Sequence, residues 1–274
     1  MNGEGSLAAA VESDLVAHVS RLYEPVGEVH REAGDVWFVT GDRSPYRNGI
    51  LRARIPERHA DQTVERLMAP FDEWDLAMMW WVFTPPEPLP VEVDRALRGR
   101  GFVLDADLPG MAVDLTAVQA PSAPEGGEVH RVIDEDMFRA WSHVVVRAFG
   151  DEDEDFEASL SARAFRAHGF GDDAPFRHFL YRLQGKWVGA STLSVGAGFA
   201  GLANIAVVPE HRRRGIGGVI AAAALLDGRQ HGLRAGVLSA GELGLPLYER
   251  LGFREVSRHR TYVLRHTTQG RRVP

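Results

Sequence analysis

The chain has no cysteine among its 274 residues. That excludes disulfide staples, thiolate metal sites and a cysteine nucleophile, and it fits a cytoplasmic setting. Lysine is almost missing too: Lys186 stands alone against 30 arginines. No uninterrupted apolar run nears the roughly 18 residues that a membrane helix needs. The first residues, Met1-Asn2-Gly3-Glu4-Gly5-Ser6, carry no basic segment ahead of an apolar one, so neither a membrane span nor a signal peptide is expected. An overall basic charge is also lacking. The net charge is −7, and no nucleic-acid-binding module is recognisable, so nucleic acid is not an expected partner.

What remains is an ordinary globular composition, 45% hydrophobic and 25% charged, long enough for two domains. The charge is unevenly spread. Residues 1–125 carry a net of −10 and residues 126–274 a net of +3, which makes the second half the better host for a polyanion. A Pro- and Gly-rich stretch, Ala117 to Gly127, reads as a linker, and divides the chain into an N-terminal domain, residues 1–120, and a C-terminal domain, residues 126–274.

On the C-terminal side the periodicity predicts a strand over 128–132, helices over 134–149 and near 158–168, a hairpin of strands 177–183 and 187–195, and a strand over 199–208. A long alanine-rich helix, a strand over 234–239, a short helix over 245–251 and a closing strand over 253–264 follow. The N-terminal side reads as strands 36–40 and 49–55, a helix 60–74, a strand 76–83, a helix 90–99 and a strand region 102–115. Its aromatic set Trp74, Trp80, Trp81 and Phe83 is expected in the core. Both sides end alike: Gly101-Phe102 and Gly252-Phe253 each follow an amphipathic helix, and each precedes a strand segment nine residues on. A duplicated fold is the expectation.

The most informative residues are Arg212-Arg213-Arg214-Gly215-Ile216-Gly217. They follow the apolar run Ala203 to Val208 and a Pro209-Glu210-His211 turn, and they open the alanine-rich helix. The first amides of a helix have no intrahelical acceptor, and its dipole favours negative charge there. Gly215 and Gly217 let a phosphate approach the backbone. Two familiar phosphate motifs do not fit. The P-loop needs Lys then Ser or Thr after its last glycine, where this chain has Gly218. The Rossmann fingerprint wants a third glycine where Ile220 stands.

The residues that do match belong to another pattern. Arg212 to Gly217, preceded by Ile205-Ala206-Val207 and followed by Leu247-Tyr248-Glu249-Arg250-Leu251-Gly252-Phe253, resembles the Gcn5-related N-acetyltransferase (GNAT) family over residues 128 to the end. The resemblance implies an α/β (α+β) fold with a mixed, mostly antiparallel central sheet flanked by helices, here in tandem. It implies that acetyl-CoA is the co-substrate, without a metal, and that an enzyme of this kind moves the acetyl group to a primary amine by direct attack. By the same resemblance, the amides of Arg213 to Gly218, with Arg212, Arg213 and Arg214 beside them and Gly215, Ile216 and Gly217 at the turn, hold the pyrophosphate. Ile205, Ala206 and Val207 hold the pantetheine arm as an added strand would, and Tyr248 protonates the departing thiolate. A small-molecule or peptide amine is the expected acceptor, and a monomer or homodimer the expected state.

The chain departs from the family at two places. Gly241 stands where many members carry an asparagine for the pantetheine, and Asn204 stands on the central strand where some carry a carboxylate. No general base is identifiable. His168, His178 and the acidic run Asp151–Glu157 are the candidates. The N-terminal side lacks the glycine signature, so one CoA per chain is expected. A catalytically silent CoA-binding sensor or scaffold is the alternative reading.

Overall fold

A computed structural model of the protein describes residues 3–85, 90–149 and 159–265. Its elements in chain order are α1 (Gly3–Tyr23), β1 (Glu28–Glu32), β2 (Asp35–Val39), β3 (Asn48–Arg52), α2 (Ala60–Glu73), β4 (Met78–Thr84), α3 (Val91–Gly99) and β5 (Val103–Asp114). Then come β6 (Gly127–Arg131), α4 (Glu135–Phe149), α5 (Leu160–Ala167), β7 (Phe176–Leu183), β8 (Lys186–Val195) and β9 (Ala200–Val207). The chain closes with α6 (Ile216–Gln230), β10 (Ala235–Ser239), α7 (Leu245–Arg250) and β11 (Arg254–Leu264). From β2 onward these follow the pattern expected from the sequence. Helix α1 and strand β1 do not, because no element was expected before residue 36.

The chain forms two compact units that are not contiguous in sequence. The larger comprises Met1–Val26 and Pro109–Ser257, the smaller Gly27–Leu108 and Arg258–Pro274. A single cut near residues 120–126 does not describe this division. The strands β5 and β11 each pass from one unit into the other, and α1 belongs with the C-terminal half. The Pro/Gly stretch begins anchored: Val118 is buried, and Arg229 donates to the carbonyls of Leu115 and Val118 at 3.2 and 3.3 Å.

In the smaller unit the strand order is β1-β2-β3-β4-β11. Among its described strands one pair is parallel, β3 with β4, at Gly49↔Met79 and Ile50↔Trp80. Val64, Leu67 and Phe71 recur at helical spacing on α2. They bury against Trp80, Leu97, Phe102 and Tyr262, each such side chain contributing about 1.5–3 kcal/mol. Trp80 joins this interior, Trp81 is buried beside Phe83 and His259, both as expected, and Phe83 is partly buried. Trp74 does not: it caps the C-terminus of α2 and is 46% exposed.

In the larger unit the order is β5-β10-β9-β8-β7-β6, antiparallel except for β9 with β10. Helix α6 is apolar nearly all round. Val219, Ile220, Ala221, Ala222, Ala224 and Leu225 are buried, as a helix enclosed by other elements requires. Helix α4 buries Phe138, Trp141, Val144 and Val145, and Trp141 satisfies its indole by donating to the Ser191 carbonyl at 3.1 Å. Helix α1 places Ala10 and Val11 against Ala112 of β5 and Val237 of β10.

Candidate functional site

The parallel pair β9–β10 sets the site. Its ladder covers only Ala200↔Gly236 and Gly201↔Val237. Beyond Gly201 the strands part, and Leu202 to Val207 have no ladder partner on the β10 side. The other edge of β9 stays paired to β8, with a register shift between Ala190 and Thr192. Asn204 takes up that extra residue with φ of 53°, as a bulge does, and asparagine tolerates this left-handed conformation better than most residues. Its side chain turns back, donating from Nδ2 to Thr192 Oγ1 at 3.3 Å. Ile205, Ala206 and Val207, expected along a pantetheine arm, thus lie on the parted length of the strand.

At the wide end of the split, a Pro209–His211 turn leads into the arginine-glycine segment. Arg213 and Gly215 are left-handed, with φ of 63° and 82°. Gly215 is the N-cap of α6, and nothing lies within 4 Å of the place a Cβ would take. Among the described residues the amides of Arg213, Arg214, Gly215, Ile216 and Gly217 make no backbone hydrogen bond. That of Gly218 is spent on the Gly215 carbonyl at 3.0 Å, so the expected donor run is shorter by one residue. Arg213 and Arg214 are exposed beside the free amides. Arg212 has other work. Its Nε donates to the Val207 carbonyl at 3.0 Å and its Nη2 to the Ala148 carbonyl. It ties the ends of β9 and α4 to the turn.

Helix α7 closes on the same place. A Cβ on Gly217 would fall 2.8 Å from Leu247 Cδ1 and 3.8 Å from Val207 Cγ2, so α6, α7 and β9 converge there. Tyr248, next on α7, is 9% exposed and its ring meets Phe253 edge-on at 5.9 Å. Burial pushes its phenol up to about 12. The group therefore stays protonated at neutral pH, and its hydroxyl has no hydrogen-bond partner among the described residues. Gly241, in place of an asparagine, brings no side chain to this wall.

Of the suggested bases, His168 is engaged: its Nε2 bonds the Arg21 carbonyl at 2.8 Å, and only a protonated nitrogen can do so. His178 is buried and bonds Thr192 Oγ1 through Nδ1 at 2.9 Å. Burial lowers it to about 3. The Asp151–Glu157 run lies outside the described residues. One acid near the split was not expected from the sequence. Asp14 of α1 is 3% exposed and hydrogen-bonded to Ser194. The missed signal was a helical stripe, Val11, Asp14, His18 and Arg21, three and four residues apart.

The acetyltransferase (GNAT) domain family model matches residues 174–255, the span from β7 into β11. The chain carries a GNAT domain. The fold agrees over nearly the whole length. A GCN5-related N-acetyltransferase from Kribbella flavida superposes with a TM-score of 0.69 at 16% identity, covering 94% of this chain and 96% of that one. One from Sphaerobacter thermophilus gives 0.61 at 20% identity, covering 90% and 84%. A tandem GNAT protein from the clavulanic acid biosynthesis pathway, solved without AcCoA, gives 0.61 at 15% identity, covering 90% and 85%. No curated protein matches the chain by sequence. The GNAT assignment makes acyl transfer the general class of chemistry. Among the described residues no helix is long and apolar enough to cross a membrane, and no group of metal-ligating side chains gathers.

Proposed function

We propose that the protein is an acetyl-CoA-dependent N-acetyltransferase that acylates a primary amine. The observation that carries this reading is the split between β9 and β10: β9 leads into five amides without a backbone hydrogen bond among the described residues, and α7, which meets α6 at Gly217, carries the protonated Tyr248. The pyrophosphate sits on the amides of Arg213 to Gly217, where helix dipole and backbone donors act together. The pantetheine amides pair with the parted edge at Ile205, Ala206 and Val207. A backbone N–H of that edge polarises the thioester carbonyl, as an oxyanion hole does.

The amine nitrogen attacks the carbonyl carbon, the C–N bond forms and the C–S bond breaks. Tyr248 gives its proton to the departing sulfur and recovers one from the tetrahedral nitrogen. No covalent acyl-enzyme is needed, and no cysteine exists to form one. The test is titration of acetyl-CoA by calorimetry together with an acetyl-transfer screen over small amines and peptide N-termini. Micromolar binding with transfer that falls in Tyr248→Phe supports the reading. Tight binding without transfer to any amine marks a CoA-binding scaffold instead.

A further inference from the structure

Gly201 is the last residue of β9 paired to β10, and it marks the closed end of the split. It has no side chain, and the space is taken: a Cβ there would lie 2.0 Å from Asp14 Oδ2 and 2.2 Å from Ser194 Oγ. A carboxyl from α1 therefore fills the position a strand side chain would occupy at this vertex. Ser194 lies two residues from Thr192 on β8, so both share one face of the sheet. Asn204 is bonded to Thr192, which puts Asp14 on the side of the sheet toward which the bulge turns its amide. The Ser194 hydroxyl lies 3.3 Å from the Gly201 carbonyl and within bonding reach of Asp14. It can donate to an ionised carboxylate, or accept from a protonated one while donating to the carbonyl.

Resting on the acetyl-transfer reading, we propose that Asp14 is the base that takes the proton of the acceptor's ammonium group. An ionised Asp14 removes one proton from R–NH3+, directly or through one water. The neutral amine then attacks, the C–N bond forms and the C–S bond breaks. Tyr248 protonates the sulfur and is reprotonated by the nitrogen, and Asp14 returns its proton to solvent after product leaves. The acceptor is thereby a cationic amine.

The surroundings tune this acid. Burial raises it to about 8, opposed by the Ser194 hydrogen bond and by Arg21. Strands β9 and β10 bring no titratable residue to it. Along α1, His18 and Arg21 follow Asp14 at helical spacing, and α5, which packs on α1, carries Arg163 and Arg166 with His168 at its C-cap. The Arg21 guanidinium itself donates to the Val195 carbonyl at 2.7 Å. A carboxyl near 8 is a proton acceptor matched to an amine at mildly alkaline pH.

The experiment compares wild type, Asp14→Asn and Ser194→Ala for acetyl-CoA affinity and for the pH profile of kcat/KM with a responsive amine. Asp14→Asn should bind acetyl-CoA as wild type does, yet lose roughly 100-fold in kcat/KM at pH 7. The loss should shrink at pH values where the free amine is already deprotonated. Ser194→Ala, which keeps the carboxyl and removes only its hydroxyl partner, should move the acidic limb to higher pH, because the lost hydrogen bond favoured the ionised form. A deficit under about threefold at pH 7, or one constant with pH, overturns the assignment of Asp14. So does an acidic limb that stays in place in Ser194→Ala. A wild type that binds no acetyl-CoA overturns the donor site and this proposal together, and so stands apart from the other outcomes.

Discussion

Two helix ends, one in each unit, are built alike and carry different side chains. After α3, the amides of Arg100, Gly101 and Phe102 bond the carbonyls of Leu97, Arg98 and Leu97 at 3.1, 3.0 and 3.2 Å. After α7, Leu251, Gly252 and Phe253 bond Tyr248, Glu249 and Tyr248, each at 3.0 Å. Both glycines are left-handed, φ 88° and 92°, as this helix stop requires. Leu97 therefore stands in the smaller unit where Tyr248 stands in the larger.

The same contrast holds upstream. Pro56 precedes a single turn, Glu57–His59, that runs straight into α2. Pro209 opens the matching turn, Pro209–His211, but four further residues, Arg212 to Gly215, separate it from α6. Both units also keep a parallel strand pair of two residues. One scaffold thus carries the loop and the phenol, and the other carries neither.

The comparison is sharpest at the two helix ends. Tyr248→Phe should leave acetyl-CoA affinity intact and lower acetyl transfer by about 100-fold, with little change in stability because its hydroxyl has no partner. Leu97→Ala removes a fully buried side chain and should cost about 3 kcal/mol of stability, read by urea unfolding, with donor affinity unchanged. If Leu97→Ala abolished acetyl-CoA binding in the folded protein, the two ends would not be functionally distinct.

The turn is the next lever. Gly215→Val forces a β-branched residue into a left-handed conformation, at about 2 kcal/mol, or roughly 30-fold in acetyl-CoA Kd. Calorimetry should also return one acetyl-CoA per chain. A value near two would mean that the smaller unit binds donor without the arginine-glycine turn.

Much of this was legible in the sequence because it is local. The glycines of the turn, the Gly-Phe stops and the 2.0 and 3.6 periodicities each depend on residues a few positions apart. What escaped was held by distant parts of the chain. Helix α1 has its buried stripe spoiled, as a pattern, by Asp14, His18 and Arg21, whose partners Ser194 and the Val195 carbonyl lie some 180 residues away. The membership of β5 and β11 in both units likewise follows from strand pairing, which periodicity cannot encode. Arg212 looked like an anion ligand beside Arg213, and only the carbonyls of Val207 and Ala148 distinguish it.

Acid and base should separate the units as well. Burial holds His18 and His178 at about 4 and about 3 in the larger unit, and His259 at about 4 in the smaller. Unfolded histidine binds its proton near 6.5, so each contributes stability that is present above that pH and lost as pH falls. Asp14 acts in the opposite sense. Its folded value, about 8, lies above the ordinary 3.8, so its contribution is full below pH 4 and lost as pH rises toward 8. Between pH 6.5 and 8 only Asp14, of these four groups, changes its balance. The larger unit should then lose about 1.4 kcal/mol per pH unit, while the smaller stays level. Hydrogen exchange resolved by peptide would show it, and Asp14→Asn should flatten the slope.

The smallest effect expected is at Arg213. It shares the turn with Arg212 and is exposed, but its guanidinium has no protein partner among the described residues. An exposed charge beside a phosphate contributes under about 1 kcal/mol, so Arg213→Ala should weaken acetyl-CoA binding by about fivefold or less, and less still at high salt. Arg212→Ala removes two hydrogen bonds that hold β9 and α4 to the turn. It should cost more, and its cost should persist in salt, because the loss is of geometry and not of long-range attraction. If the two variants instead lost affinity equally, with equal salt dependence, then arginine charge and not the backbone cradle would hold the donor. The absence of the four-residue turn from the smaller unit would then matter only for the charge it lacks.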